Sequence, residues 1–169
     1  MITDPSYAHA FPLVRAGGVF LAIVGMGIII GGVLPRIRGA MLAVSALTAA
    51  VVTTLLAHRL AAPFGAPTAL QVWSLVGAVA LELALIPLVV RRFRLKGPRT
   101  VTLAVMLVVG VHFLPMALAF GPVMWILALL VCLIGVGGLV ISRLPIHALW
   151  AMDGIAKLGV GTVMWLTGV

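Results

Sequence analysis

Apolar runs of similar length alternate with short polar links along nearly the whole chain. Residues 16–34, 39–57, 70–90, 101–120, 123–141 and 148–169 are each close to unbroken hydrocarbon. The breaks between them are built from turn formers and cations. They are Leu34-Pro35-Arg36 with Arg38, His58-Arg59 followed by Pro63, Gly65 and Pro67, the run from Arg91 to Arg99, Gly121-Pro122, and Ser142-Arg143-Leu144-Pro145. About 20 apolar residues cover the hydrocarbon core of a bilayer, so the pattern predicts six spans. Backbone facing lipid must satisfy its own hydrogen bonds, and runs this long exclude barrel strands, so the spans are read as helices. The expected fold is all-α: a polytopic six-helix transmembrane bundle over residues 16–169, preceded by a short external tail over residues 1–15.

Composition supports this reading. Apolar residues make up 64% of the chain and charged residues 8%, against about 45–50% and about 25% in a soluble domain. One water-soluble core of 169 residues cannot hide that much apolar surface, and the length suits a single domain. The cations then orient the bundle. Arg36 and Arg38, Arg91, Arg92, Arg94, Lys96 and Arg99, and Arg143 fall on one side, whereas Arg15 and Arg59 fall on the other. The positive-inside rule puts the first group in the cytoplasm and both termini on the non-cytoplasmic side. The net charge of +8 is thus mainly a topology signal. The basic link 91–99 is expected to meet anionic lipid headgroups, and no nucleic-acid partner is expected in the absence of a soluble domain.

The first twelve residues lack the basic start and small-residue cleavage pattern of a secretory signal. Tyr7, His9 and Phe11 are expected at the interface, with Trp73, Trp125, Trp150 and Trp165 near span ends as an aromatic belt. The single cysteine, Cys132, lies in an apolar run and offers neither a disulfide nor a thiolate metal cluster. Small residues should govern helix association. Gly27 and Gly31 form a GxxxG pattern, alanines stripe the second span, and Gly154 and Gly159 mark the last. These fit either internal packing or a dimer face.

Four ionisable residues sit well inside the spans: Glu82, His112, Asp153 and Lys157. Charge at that depth is expensive and marks a functional candidate by default. Glu82 lies roughly 12 Å from Val90, and His112 roughly 16 Å from Val101, at 1.5 Å rise per residue. Their spans are consecutive, so the two side chains reach similar depths on antiparallel neighbours. Each span also carries a downstream proline, Pro87 or Pro115, which cannot donate to the carbonyl four residues earlier and is expected to kink its helix. Asp153 and Lys157 are four residues apart on one helical face, with the acid nearer the N-terminus, the favourable order. Two readings stand. One is a buried ion-pair network that selects one helix arrangement. The other is a proton or ligand site in which Glu82 and His112 titrate and Lys157 holds an anion or biases Glu82.

The segment Gly110-Val111-His112-Phe113-Leu114-Pro115, followed by Gly121 and later by Asp153-Gly154-Ile155-Ala156-Lys157, resembles a functionally uncharacterised family of small bacterial multi-span membrane proteins. The resemblance covers roughly the last third of the chain. It implies the bacterial cytoplasmic (inner) membrane and groups His112, Pro115, Asp153 and Lys157 in one design, but brings no substrate, cofactor or activity.

Other chemistries lack their signatures. No His-Glu-x-x-His zinc set occurs, no serine or cysteine has a base and orienting group at a recognisable spacing, and phosphate-cradling glycine loops are absent. A b-type haem would want paired histidines, and His112 is the one mid-span histidine; a single histidine can ligate a pigment, which is a minor reading. The chain is therefore read as a non-enzyme with no cofactor and no metal. Two function classes follow. One is a structural or accessory subunit of a larger membrane assembly, with other membrane subunits or copies of itself as partners. The other is a small proton-coupled carrier or ligand-binding protein, with interrupted helices beside a midplane site.

Overall fold

Each long apolar run closes its own ladder of backbone hydrogen bonds, and the computed structural model of the chain is all-α. It describes residues 5–56, 59 and 64–166. Residues 1–4 of the expected tail, Ala57 and His58 at the end of the second run, Pro63, and residues 167–169 of the last run lie outside the described residues. Seven α-helices are present among those described: α1 Pro5–Ala10, α2 Val14–Val33, α3 Arg38–Leu55, α4 Ala69–Phe93, α5 Pro98–Phe120, α6 Val123–Val140 and α7 Ile146–Leu166. Single 3-10 turns, Pro35–Ile37 and Arg94–Lys96, join α2 to α3 and α4 to α5.

Helix ends follow local chemistry rather than hydropathy. α4 starts with a capping box in which Thr68 accepts from the Gln71 amide and Gln71 accepts from the Thr68 amide. This satisfies donors that the first turn leaves open. α4 then continues through Arg91 and Arg92 to Phe93, because a helix need not stop where its side chains become charged. Gly97, at φ 95°, turns the chain, and Pro98 occupies the first position of α5, where its missing N–H costs nothing. At the other end of α5, Gly121 has φ 91°, and a Cβ there would run into the Tyr7 hydroxyl. The Arg99 guanidinium closes α6. It donates to the carbonyls of Gly138 (2.9 Å), Ile141 (3.3 Å) and Leu144 (2.6 Å), a cation on unpaired helix-end acceptors.

Five helices are long and apolar enough to cross a membrane: α2, α3 with its preceding turn, α4 with its following turn, α5 and α6. α7 is long enough at 21 residues, but Asp153 and Lys157 at its centre dilute its apolar character and leave it out of that set. In space the helices follow the order α3–α2–α7–α6–α5–α4. About half of α2, α5 and α6 is buried, against 11% of α3 and 6% of α4, so α3 and α4 flank a central group. Leu21 of α2, Phe113 and Ala117 of α5, Met124, Leu127 and Val131 of α6, and Met164 of α7 form its main core.

α2 and α7 make the closest contact in the molecule. They run antiparallel, with Gly18 opposite Gly161 and Gly25 opposite Gly154. A Cβ on Gly25 would lie 2.7 Å from the Gly154 carbonyl oxygen, and one on Gly161 would lie 2.7 Å from that of Gly18. The spacing of seven on both helices keeps one seam facing its partner, as in a left-handed supercoil. Gly32 continues the seam toward His147 and Ala151. Gly27 and Gly31 face elsewhere, onto Ser45 and Arg38 of α3, so the GxxxG pair packs α2 against its own neighbour. Gly159 has open space on its Cβ side.

One end of the bundle gathers Arg36, Arg38, the 91–99 link and Arg143. At the opposite end, Trp73, Trp125 and Trp165 are exposed in the first or last turns of α4, α6 and α7. The N-terminal residues expected as a tail form α1 and pack against this second end. Tyr7 donates to the Phe120 carbonyl (3.3 Å) and Gln71 donates to the Ala10 carbonyl (2.8 Å). Burial there holds the Tyr7 phenol above its ordinary pKa.

Candidate functional site

The side chain of Glu82 belongs to the face of α4 that meets α5. Along α4 the covered or half-covered positions include Gln71, Leu75, Ala78, Glu82, Leu85 and Val89, alternating three and four residues apart as a packed helix face requires. Glu82 therefore points at α5, where His112 is 5% exposed. The Glu82 Oε2 to His112 Nε2 distance is 3.4 Å. On α7, Lys157 donates to Oδ1 of Asp153 in a direct i,i+4 ion pair, with Asp153 5% and Lys157 3% exposed.

The two pairs meet. The Lys157 ammonium lies 5.6 Å from the centre of the Phe113 ring, within cation–π range, and that ring lies 4.3 Å from the His112 imidazole. The charge of Glu82 reaches both His112 and Lys157. Three helices thus bring two carboxyls, an imidazole and an ammonium to one level, in the order Glu82–His112–Phe113–Lys157–Asp153. Glu82 is the open end: 27% of its side chain is exposed, whereas its three companions are sealed.

The His112 tautomer follows from its surroundings. Nδ1 is 2.6 Å from the Val109 carbonyl oxygen. A carbonyl only accepts, so Nδ1 carries the hydrogen. Nε2, the nitrogen facing Glu82, is then the one that gains or loses a proton. With Asp153 and Lys157 ionised, the cluster is neutral in two ways: a glutamic acid beside a neutral imidazole, or a glutamate beside an imidazolium. Moving one proton between Oε2 and Nε2 converts one into the other without changing net charge, the quantity that low-dielectric surroundings penalise most. Both prolines adjoin the site. α4 and α5 remain helical through Pro87 and Pro115, leaving the carbonyls of Leu83 and Val111, next to Glu82 and His112, without their usual i+4 donors.

Among the described residues, no three His, Cys, Asp or Glu side chains come together in a way that would hold a metal ion. Cys132 packs against Gly110, away from the cluster. Of the basic link, Arg99 is engaged with the end of α6 and Lys96 lies 5.3 Å from the Phe93 ring, while Arg91, Arg92 and Arg94 are exposed. Sequence reasoning missed Phe113 as the bridge between the pairs and missed the glycine seam that sets α7 against α2. The seam had a signal in the recurrence of seven at Gly18, Gly25 and Gly32 and at Gly154 and Gly161.

A model of a protein family described as a family of unknown function (DUF6609) matches residues 5–168, nearly the whole chain, and the chain belongs to that family. No curated protein and no solved structure matches it.

Proposed function

We propose that this member of a family of unknown function is a six-span protein of the bacterial cytoplasmic membrane, both termini on the non-cytoplasmic side, built around a proton-handling site. Glu82 and His112 share and exchange a proton, and Lys157, held by Asp153 and the Phe113 ring, keeps the cluster electrically balanced. The protein acts without covalent chemistry, as a small proton-coupled carrier or ligand-binding protein. One observation carries the reading: two titratable pairs from three helices converge, and only Glu82 is open. A purely structural ion pair would need Asp153 and Lys157 alone. Buried ionisable clusters beside proline-interrupted helices suit sites at the membrane midplane.

A hydrophobic carbodiimide tests this directly. A protonated carboxyl reached from hydrocarbon adds its O–H across a C=N bond of the reagent, carbon receiving the oxygen and nitrogen the proton. Labelling of the protein in liposomes should fall on Glu82, decline as pH rises, and shift its pH dependence in His112→Ala. Equal labelling of Asp153, or labelling of Glu82 indifferent to pH and to His112, would refute the proton site. Glu82→Gln and His112→Ala should also abolish pH-dependent flux while leaving helix content intact.

A second reading, an accessory subunit of a larger membrane assembly, draws on α3 and α4, each packed on one flank only. Purification in mild detergent separates the two: stoichiometric foreign subunits favour the accessory role, and a clean homo-oligomer or monomer counts against it.

A further inference from the structure

α6 and α7, with Leu144 of the link between them, frame an open groove of about 440 Å³. Every lining side chain is apolar. Leu130 and Gly137 mark its course on α6, Leu149 and Ile155 on α7, and Leu144 of the connecting link stands at its mouth. From Leu130 to Gly137 the helix rises about 10 Å, within the depth of one leaflet, half of a hydrocarbon core of about 30 Å. The groove exists partly because Gly137 has no side chain: a Cβ there would meet nothing within 4 Å.

The link that carries Leu144 is cationic. Arg143 precedes Leu144, is exposed, and makes no hydrogen bond or ion pair among the described residues. His147, in the first turn of α7, is exposed beside it. Two neighbouring cations are engaged: Arg99 by the carbonyls that end α6, Arg38 by the Gly31 carbonyl at 3.1 Å and the Trp150 ring at 4.8 Å; Arg36, Arg91, Arg92 and Arg94 are exposed but belong to links that do not line this groove. A second groove of about 450 Å³ lies between α2 and α3, but Ser45 and Thr48 add hydroxyls to its lining, and the nearby Arg38 is the engaged one.

We infer that the α6–α7 groove seats one acyl chain of an anionic glycerophospholipid whose phosphate rests on Arg143. The apolar channel takes the chain and the free guanidinium takes the phosphate, with a geometry suited to fork-like donors. The inference rests on the membrane reading and is independent of the proton site. It differs from general attraction of the 91–99 link to negative headgroups in requiring a chain slot and one arginine together.

The test uses the full chain purified in mild detergent, with phosphatidylglycerol or phosphatidylcholine of equal chain length added, and native mass spectrometry to count retained lipid. One phosphatidylglycerol per chain should be retained in preference to phosphatidylcholine. Arg143→Ala should reduce that retention about fivefold, the effect of one cation near a headgroup, and remove the preference. Gly137→Leu puts a side chain into the slot from a Cβ that meets nothing within 4 Å and introduces a better helix former, so circular dichroism should be unchanged while retention of both lipids falls. Equal retention of the two lipids by the native chain, or native-like retention in either variant, would overturn the site. Partition of the chain into water without detergent would instead overturn the membrane reading beneath it.

Discussion

Replacing Lys157 by methionine keeps the length of the side chain and removes its charge, leaving the Asp153 carboxylate without its partner. Neither residue can recover water in place, since Asp153 and Lys157 are 5% and 3% exposed. Removing one member of a buried pair costs about 3–5 kcal/mol, a large part of the stability of a domain. Asp153→Asn should cost less, toward the lower end of that range, because Lys157 still feels the carboxylate of Glu82 and still faces the Phe113 ring. The double variant removes both charges and should recover most of the loss, because neutral groups of similar volume often replace a buried pair without penalty. The coupling energy, the two single losses less the double loss, is then above about 3 kcal/mol. Equilibrium unfolding in mixed micelles with rising dodecyl sulfate, followed by circular dichroism, gives all four corners of the cycle. Single losses below about 1 kcal/mol that simply add would show that the pair is not sealed as described.

The glycine seam gives a comparison within one helix. In Gly154→Ala the new Cβ would sit 2.7 Å from the Gly25 carbonyl oxygen, where ordinary contact begins at 3.4 Å, so α2 and α7 must part and stability should fall by about 1–3 kcal/mol. Gly159→Ala meets open space and should gain about 0.5–1 kcal/mol from helix propensity; equal effects in the same micelle assay would argue against the seam. Tyr7, the one tyrosine of the chain, allows a clean ultraviolet titration. Its burial at the α5–α6 turn should put the midpoint above the ordinary phenol value of about 10. The folded phenol then holds its proton more firmly than the unfolded one, so its stabilising contribution is full below that ordinary value and is lost as pH rises through the folded one. A midpoint at or below the ordinary value would mean that α1 does not cover the turn.

Hydropathy located the long helices to within a few residues, because apolar runs and helical backbone coincide over most of their length. They part company at the ends. α5 begins at Pro98, ahead of its apolar run, because Gly97 and Pro98 set the turn, and α4 passes beyond Val90 through two arginines. Glu82 with His112 was legible from matched depths on consecutive helices, and Asp153 with Lys157 from the i,i+4 spacing. Their convergence was not. It depends on α7 lying beside α2 and within reach of α5, which is set by contacts between glycines far apart in sequence. α1 was missed for a related reason: six residues hold no helical period worth reading, and Tyr7 finds its place only through a carbonyl on another helix. The same limit applies to Gly159, whose small size says nothing about which way it faces.

The seam between α2 and α7 also bears on the order in which the molecule can be made. α2 is synthesised well before α7, so the most extensive contact among the described helices joins segments made far apart in time. Until α7 arrives, the stripe Gly18–Gly25–Gly32 has no partner, and the face shaped to receive a backbone lies bare while the four long helices between α2 and α7 settle around it. Assembly is therefore conclusive only once α7 is in place. A chain cut short before Ile146 lacks both the closing strip and Asp153 and Lys157, so an incomplete product carries neither a closed bundle nor a complete charged cluster.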